Sequence, residues 1–301
     1  MKPKLGLIGL GNIGEPMCRK LIEEDYEVLV YDVNRQTMTG LEDTAAEPAK
    51  SPKALASAAD VVLLSLPNSA VVEEIVLGED GLLESLSPGK VLVDTSSSKP
   101  SSTRMISGRL AEVRVDMLDA PVSGGVMKAR EGTLAVMVGG RREVFERCLP
   151  ILQAFGGQIF FLGDHGTGHL AKVLNNLLSA TTLASAAEAV ILAERAGLSP
   201  DLFVEVINAS NGRSYSTEVK FPKYILDRSF EDGFATALMS KDLKIALEAA
   251  AQMDMPMLIG STVAQVWQAA VAQGNGARNH TEIYTFLESM TGSHDAGSIT
   301  P

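Results

Sequence analysis

The hydrophobic rhythm of the chain changes near residue 163. Before that point, mostly apolar runs of four to seven residues recur at 4–8, 27–31, 60–66, 91–94, 115–118, 132–138 and 159–162. Stretches of helical period fall between many of them, at 14–24, 70–77, 101–112 and 142–155. Near-continuous apolar strands alternating with helices predict a doubly wound, largely parallel sheet covered on both faces. After residue 195 no strand pattern survives. Ser199 as N-cap and Pro200 at the first helical position open a helix over 202–209. Further helices are predicted from Lys241, over 256–273 and over 281–290, with a polar loop at 211–216 and a frayed tail after Gly292. The expected architecture is α/β plus all-α. An N-terminal Rossmann-type domain spans 1–164 and a C-terminal helical domain 165–301, the latter opening with a long interdomain helix at 166–195.

That helix has no Gly or Pro from His169 to Arg195, which at 1.5 Å per residue gives ~40 Å. Apolar and small residues lie on almost every side of it, so a buried spine is expected. A membrane span is not expected, because Lys172, Asn175, Asn176, Ser179, Thr181, Thr182 and Ser185 interrupt the apolar run. Lys172 shares a face with Asn175 and Asn176, three and four residues on. Two readings stand side by side. The three form a site on a helix that solvates them poorly, or the lysine snorkels to water above two ordinary asparagines.

Charge narrows the partners. A formal net charge of −11 excludes the basic surface that nucleic acid or an anionic membrane requires. Cys18 and Cys148 are too few for a disulfide framework, and no Cys/His cluster points to a metal. The N-terminus runs from Lys4 straight into a short strand, without the apolar core and cleavage site of a secretory leader, so a cytoplasmic protein is expected.

Candidate chemistry begins at the first turn. Gly9-Leu10-Gly11-Asn12-Ile13-Gly14 follows the strand at 4–8 and opens a helix, which is the context that a dinucleotide-binding glycine loop requires. Gly9 permits the tight turn, Gly11 the approach of a pyrophosphate, and Gly14 close helix–strand packing. The helix N-terminus offers N–H groups and a positive dipole end to the phosphates. Asp32 ends the second strand, 18 residues past Gly14, where a carboxylate accepts hydrogen bonds from ribose hydroxyls. It also repels a 2′-phosphate, favouring NAD over NADP, although Arg35 is near enough to meet such a phosphate. The strands at 60–66 and 91–94 end in Pro67-Asn68 and Thr95-Ser96-Ser97-Ser98. The serines either contact a cofactor at the sheet's carboxyl edge or cap the helix after Pro100. Asp119-Ala120-Pro121-Val122-Ser123-Gly124-Gly125 is either an anion nest suited to a carboxylate or an ordinary turn. His169, one turn before Lys172, is expected to line the helix start.

Taken together, four blocks closely resemble the β-hydroxyacid dehydrogenase family, which includes 3-hydroxyisobutyrate dehydrogenase and tartronate semialdehyde reductase. They are residues 6–14, the loop 119–125 with Glu131-Gly132-Thr133-Leu134, Gly168 with Lys172, Asn175 and Asn176, and Lys241-Asp242-Leu243. The resemblance implies a hydride transfer between NAD, or NADP, and the hydroxyl carbon of a small β-hydroxy acid. It implies that Lys172 is catalytic, that Ser123, Gly124 and Gly125 hold the substrate carboxylate, and that Asn176 orients the reacting oxygen. Lys241 would lie against cofactor and substrate, and Leu66, Pro67 and Ser97 would line the cofactor. A lysine with an ordinary pKa near 10.4 exchanges protons poorly at neutral pH, so this role needs burial and a second ammonium, such as Lys241, to lower it. Where family members commonly carry Gly-Ala, this chain has Lys128-Ala129, a feature shared with tartronate semialdehyde reductases. The loop 210–215 is closer to hydroxyisobutyrate- and hydroxymethylglutarate-type members. The alternatives are a decarboxylating sugar-acid dehydrogenase and a non-catalytic dinucleotide sensor. The apolar surface of the long helix implies a homodimer or homotetramer.

Overall fold

Strand β1, Leu5–Ile8, is four buried residues, with Leu5, Leu7 and Ile8 at most 2% exposed, which only a strand covered on both faces allows. In the computed structural model, residues 2–291 are described, so the predicted tail after Gly292 lies outside the described residues. The chain divides into two units, Met1–Val173 and Leu174–Pro301.

The first unit is built on one sheet. Its strands are β1, β2 (Val28–Tyr31), β3 (Glu47–Pro48), β4 (Val61–Leu64), β5 (Val91–Asp94), β6 (Asp116–Asp119), β7 (Val122–Ser123), β8 (Leu134–Gly140) and β9 (Gly156–Gly163). Strands β3, β2, β1, β4, β5 and β6 run parallel in that order; β6 and β7 then pair antiparallel with β8, whose other edge carries β9. Alternate residues enter opposite cores. Leu7, Val28, Val30, Leu63 and Val93 pack on one face, and Ile8, Leu29, Val62, Leu64 and Leu92 on the other. Helices α1 (Gly14–Glu23), α2 (Arg35–Thr39), α3 (Pro52–Ala58), α4 (Ser69–Leu77), α5 (Pro100–Glu112), α6 (Gly125–Glu131) and α7 (Arg142–Gln153) connect the strands. The register pairs Tyr31 with Ile8, Ile8 with Leu64, Leu64 with Asp94, and Asp94 with Asp119. Five strands therefore end level, and the residues that follow them share one edge. Helices α2, α3 and α6 and the short strands β3 and β7 are elements that the apolar pattern did not predict, since each is too short to show a period.

Helix α8, Thr167–Arg195, has 29 residues and crosses from one unit into the next. The expectation of a spine buried on almost every side is corrected here. Lys172, Asn176, Ala180, Leu183, Ala187 and Val190 are buried, whereas Leu174, Leu178 and Leu192 are 39%, 67% and 69% exposed. Those three leucines lie on the side of the helix opposite Lys172.

The second unit is helical, as expected. It comprises the rest of α8, α9 (Pro200–Asn208), a π-helical stretch over Ser216–Ile225, α10 (Thr236–Ala251), α11 (Leu258–Ala270) and α12 (Ile283–Ser289). The wide π turns accommodate Pro222, which has no N–H to donate. The unit's centre holds a polar knot that the sequence did not announce. Lys220 Nζ donates to Ser179 Oγ at 3.1 Å and to His280 Nε2 at 2.8 Å. His280 Nδ1 in turn donates to the Phe234 carbonyl oxygen at 3.1 Å, and the Asp232 carboxylate lies 3.3 Å from Nε2. Trp267 stacks near the His280 ring and Phe234 meets it edge-on.

Burial, helped by the Lys220 charge, pushes the His280 pKa down to about 3. An unfolded histidine takes up a proton near pH 6.5, whereas folded His280 does not, so the unfolded state gains the proton as pH falls. Stability attributable to this residue is therefore full above pH 6.5 and is lost below it. We expect about 1.4 kcal/mol per pH unit below pH 6 from His280, and a correspondingly shallower curve for His280→Gln. Urea unfolding between pH 7 and 4.5 measures both; parallel curves would mean that His280 is charged in the fold.

Candidate active site

The glycine loop separates residues that need the absence of a side chain from one that leaves room for a ligand. A Cβ at Gly9, whose φ is +95°, would collide with the Ser65 carbonyl, and one at Gly14 with the Gly9 carbonyl. Gly11 is exposed and a Cβ there would meet nothing within 4 Å. Helix α1 starts behind this loop with Ile13 as N-cap and no side-chain cap, leaving its first turn turned to an outside acceptor. Asp32 steadies the loop: its Oδ2 accepts the Leu10 N–H at 2.7 Å and its Oδ1 the Asn34 N–H at 2.8 Å. A carboxylate has about four acceptor positions, so both oxygens retain capacity for ribose hydroxyls. These features fit a dinucleotide.

At the ends of β4 and β5 the serines divide their work. Ser96 Oγ accepts the Leu66 N–H at 2.9 Å, and Ser98 Oγ donates to Asp94 Oδ2 at 2.9 Å; both serines are buried. The N-cap of α5 is Lys99, without a side-chain cap, so none of the three serines caps that helix. Ser97 alone is partly exposed. Pro67 is exposed in the segment after β4, and Asn68 caps α4 through the Val71 N–H.

Ser123 closes β7 opposite Ala135, and Gly124 and Gly125 follow with φ of +136° and +75°, values that only glycine adopts readily. Both glycines are exposed, and α6 begins on them without a side-chain cap. The Lys128 side chain lies against Gly124, with its Cδ 2.6 Å from where a Cβ would stand.

Lys172 is 8% exposed. The helix turn before it is fixed to the same sheet edge. Asp119 Oδ1 accepts the Gly166 N–H at 2.8 Å, and Oδ2 accepts the His169 N–H at 3.0 Å. Gly168 presses so closely on β6 and β8 that a Cβ would collide with the Met137 carbonyl. The His169 ring is fully buried and bonded through Nδ1 to Thr103 Oγ1 at 2.6 Å. In the first unit, then, the glycine loop, Asp32 and Ser97 follow strands that end level, β7 and the Ser123–Gly125 turn come just after the level end of β6, and the start of α8 is bonded to that end through Asp119.

In the second unit the next turn of α8 carries a second polar group. Asn176 Nδ2 donates to Asp242 Oδ2 at 2.6 Å, and its Oδ1 accepts from Asn175 Nδ2 at 3.2 Å. Lys241 Nζ lies 3.3 Å from the other Asp242 oxygen. Asp242, 1% exposed, thus tethers both Asn176 and Lys241. Its role was missed from sequence, as were those of Asp94, Thr103 and Asp119. The available signal was a carboxylate at the end of each of two apolar strands.

The comparisons with known proteins agree with this geometry. Residues 4–163 match the family described as the NAD binding domain of 6-phosphogluconate dehydrogenase. Residues 166–287 match that described as NAD-binding of NADP-dependent 3-hydroxyisobutyrate dehydrogenase. The chain is 38% identical over 294 residues to 2-(hydroxymethyl)glutarate dehydrogenase of Eubacterium barkeri, with 98% of each chain covered. It is 35% identical to NAD-dependent L-serine dehydrogenase of Pseudomonas aeruginosa, over 96% of this chain and 99% of that one. A solved structure of Mycobacterium tuberculosis 3-hydroxyisobutyrate dehydrogenase with L-serine has a TM-score of 0.88 at 30% identity, covering 95% of this chain and 99% of that one. The chain belongs to the β-hydroxyacid dehydrogenase family and is an NAD(P)-dependent oxidoreductase.

Proposed function

We propose that the substrate is an acid of the form HOCH2–CH(R)–COO⁻, oxidised at its hydroxymethyl carbon to the aldehyde and re-formed in reverse. The names of the three relatives support this skeleton, since 3-hydroxyisobutyrate, L-serine and 2-(hydroxymethyl)glutarate all contain it and differ only in R. Glycerate, with tartronate semialdehyde as its aldehyde, fits the same formula. The observation that carries the reading is Lys172, an almost wholly buried amine one turn beyond a helix start bonded to the sheet edge that bears the glycine loop.

The proposed roles follow. The loop Gly9–Gly14, Asp32, Leu66, Pro67 and Ser97 hold the dinucleotide, with NAD preferred because Asp32 repels a 2′-phosphate. Ser123, Gly124 and Gly125 hold the carboxylate. Bound NAD(P) supplies the hydride chemistry. In oxidation the neutral amine of Lys172 accepts the hydroxyl proton, and in reduction its ammonium donates to the carbonyl oxygen. Asn176, oriented by Asp242, hydrogen-bonds the same oxygen, and Lys241 adds positive charge toward cofactor and substrate. The dinucleotide-binding domain is read as 1–164 and the helical domain as 165–301. Helix α8 is long and apolar enough by length and composition to cross a membrane, but half of its most apolar window is buried within the chain. A soluble, cytoplasmic enzyme is the reading that this burial and the polar face of α8 support.

Three measurements test these points. Lys172→Ala is expected to lower kcat by about 10²–10⁴-fold, the usual worth of positioned acid–base help, while the Kd for NADH stays within about threefold. A variant with undiminished kcat on 3-hydroxyisobutyrate, L-serine, 2-(hydroxymethyl)glutarate or glycerate would remove the assignment, and CO2 released from a phosphorylated sugar acid would favour a decarboxylase. Asp32→Ser is expected to shift the NAD:NADP ratio of kcat/KM toward NADP by about 10–100-fold, as loss of charged hydrogen bonds and repulsion predicts; an unchanged ratio counts against Asp32. The exposed Leu174, Leu178 and Leu192 stripe supports a homodimer or homotetramer. Light scattering should report the oligomer for the wild type and a monomer for Leu178→Arg with Leu192→Arg, and a monomeric wild type would exclude it.

A further inference from the structure

Two carboxylates lie side by side inside the first unit. Asp94 and Asp119 are register partners on β5 and β6, so their backbones are about 5 Å apart. They are 1% and 0% exposed. Adjacent buried like charges are costly unless each is closely compensated. Here every oxygen has a donor: Asp94 accepts from the Ser96 N–H at 2.9 Å and the Ser98 hydroxyl at 2.9 Å, and Asp119 from the Gly166 and His169 N–H groups. The His169 ring sits between the two, with Nε2 3.6 Å from Asp94 Oδ2 and Nδ1 4.0 Å from Asp119 Oδ2. Thr103, on α5, holds that ring at 2.6 Å.

We infer that Asp94, Asp119, His169 and Thr103 form a positioning lock, through which the placement of Lys172 is tied to the Ser97 and Ser123–Gly125 loops. The inference rests on the proton-transfer role proposed for Lys172. Each carboxylate governs a different loop. Asp94 fixes Ser96 and Ser98, which flank Ser97, and Asp119 is the last residue of β6, immediately before the turn to β7 and Ser123. The same Asp119 sets the first turn of α8, and Lys172 follows His169 by three residues on that rigid helix. A shift of His169 against the sheet is therefore carried undiminished to the Lys172 backbone one turn on. Misplacement of a catalytic group by about 1 Å can cost ~10²-fold in rate. An apolar cluster of equal volume would fill the space and hold the fold but would not fix this register. His169 is fully buried and acts only through the lysine.

The test compares His169→Leu, which fills the space without polar atoms, with His169→Asn, which keeps a polar atom near the Nδ1 position. Both are assayed on whichever acid of the panel above the wild type turns over fastest, with rates normalised to titrated NADH sites. The leucine variant is expected to lose about 10–100-fold in kcat, with KM for the acid and Kd for NADH within about threefold. The primary deuterium isotope effect on kcat, read with the acid deuterated at the hydroxymethyl carbon, should rise. His169→Asn should recover most of the loss. In a Lys172→Ala background, His169→Leu should lower the residual rate no further, because both changes act on one step. Should His169→Leu fail to fold, Thr103→Val carries the test, with an expected three- to tenfold loss and the same rise in isotope effect. A normal kcat per site in the folded variants, even with a lowered Tm, overturns the lock. Wild-type protein inactive on every acid would instead overturn the proposed substrate class and the proton-transfer role of Lys172, and this inference with them.

Discussion

The start of α8 is the constraint on which the arrangement of the first unit depends. A 29-residue helix must find acceptors for its first N–H groups, and at this start Gly166, Gly168 and His169 are buried. Asp119 supplies two, from the end of a strand that is itself in register with four others. A carboxylate at a helix N-terminus is favoured twice, by hydrogen bonds and by the axial dipole. Its position is also enforced by Gly168, where any side chain would force the helix off the strand ends. One side chain and one missing side chain thus determine where the helix carrying Lys172 leaves the sheet.

Along the same edge, neighbouring residues of one type are divided between scaffold and ligand contact. Gly9 and Gly14 are closed against protein backbone while Gly11 is open; Ser96 and Ser98 are bonded within the protein while Ser97 is partly exposed. A strand end places consecutive residues alternately, so a short run of glycines or serines builds a support and an exposed point together. The bonds to Ser96 and Ser98 limit how Ser97 can move, and the Leu10–Asp32 bond does the same for the glycine loop. Preorganisation of this kind lowers the ordering entropy that a bound dinucleotide would otherwise demand.

The long elements were legible in sequence because their periodicity is long enough to register. The apolar runs at residues 5–8, 61–64 and 91–94 read as buried strands from their shortness and the turn residues that bound them, and Gly9 to Gly14 drew meaning from lying between a strand and a helix. Strand β7, with two residues, and α6, with seven, carry no period, and the antiparallel turn of β8 follows from pairing that no local pattern encodes. Among polar residues, Lys172 and Asn176 stood out by shared face. Asp94 and Asp119 did not, because a lone acidic residue ending an apolar run looks like solvent-exposed punctuation, and Asp242, between Lys241 and Lys244, looks like part of a charged helix face. Each is in fact buried: Asp94 bonds locally to Ser96 and Ser98, but Asp119 bonds to Gly166 and His169, 47 and 50 residues away, and Asp242 to Asn176, 66 residues away, besides its neighbour Lys241. The distant pairings are tertiary facts.

The expectation for α8 failed in an instructive direction. Its composition suggested a cylinder buried all round, yet Leu174, Leu178 and Leu192 are exposed, whereas Lys172 and Asn176 are buried together with Leu183, Ala187 and Val190. Leaving three leucines exposed gives up their transfer energy, roughly 1.5–3 kcal/mol each when fully buried, and burying Lys172 and Asn176 adds the desolvation of an amine and a carboxamide. That exchange is sensible where the buried amine has work to do and where another surface covers the leucines, so the two proposals made for α8, a proton-transferring lysine and a self-associating stripe, account for opposite faces of one helix. The polar face also explains why the helix cannot rotate to hide its leucines: Asp119 holds its first turn and Asp242 holds Asn176 two turns later, fixing its azimuth at both points.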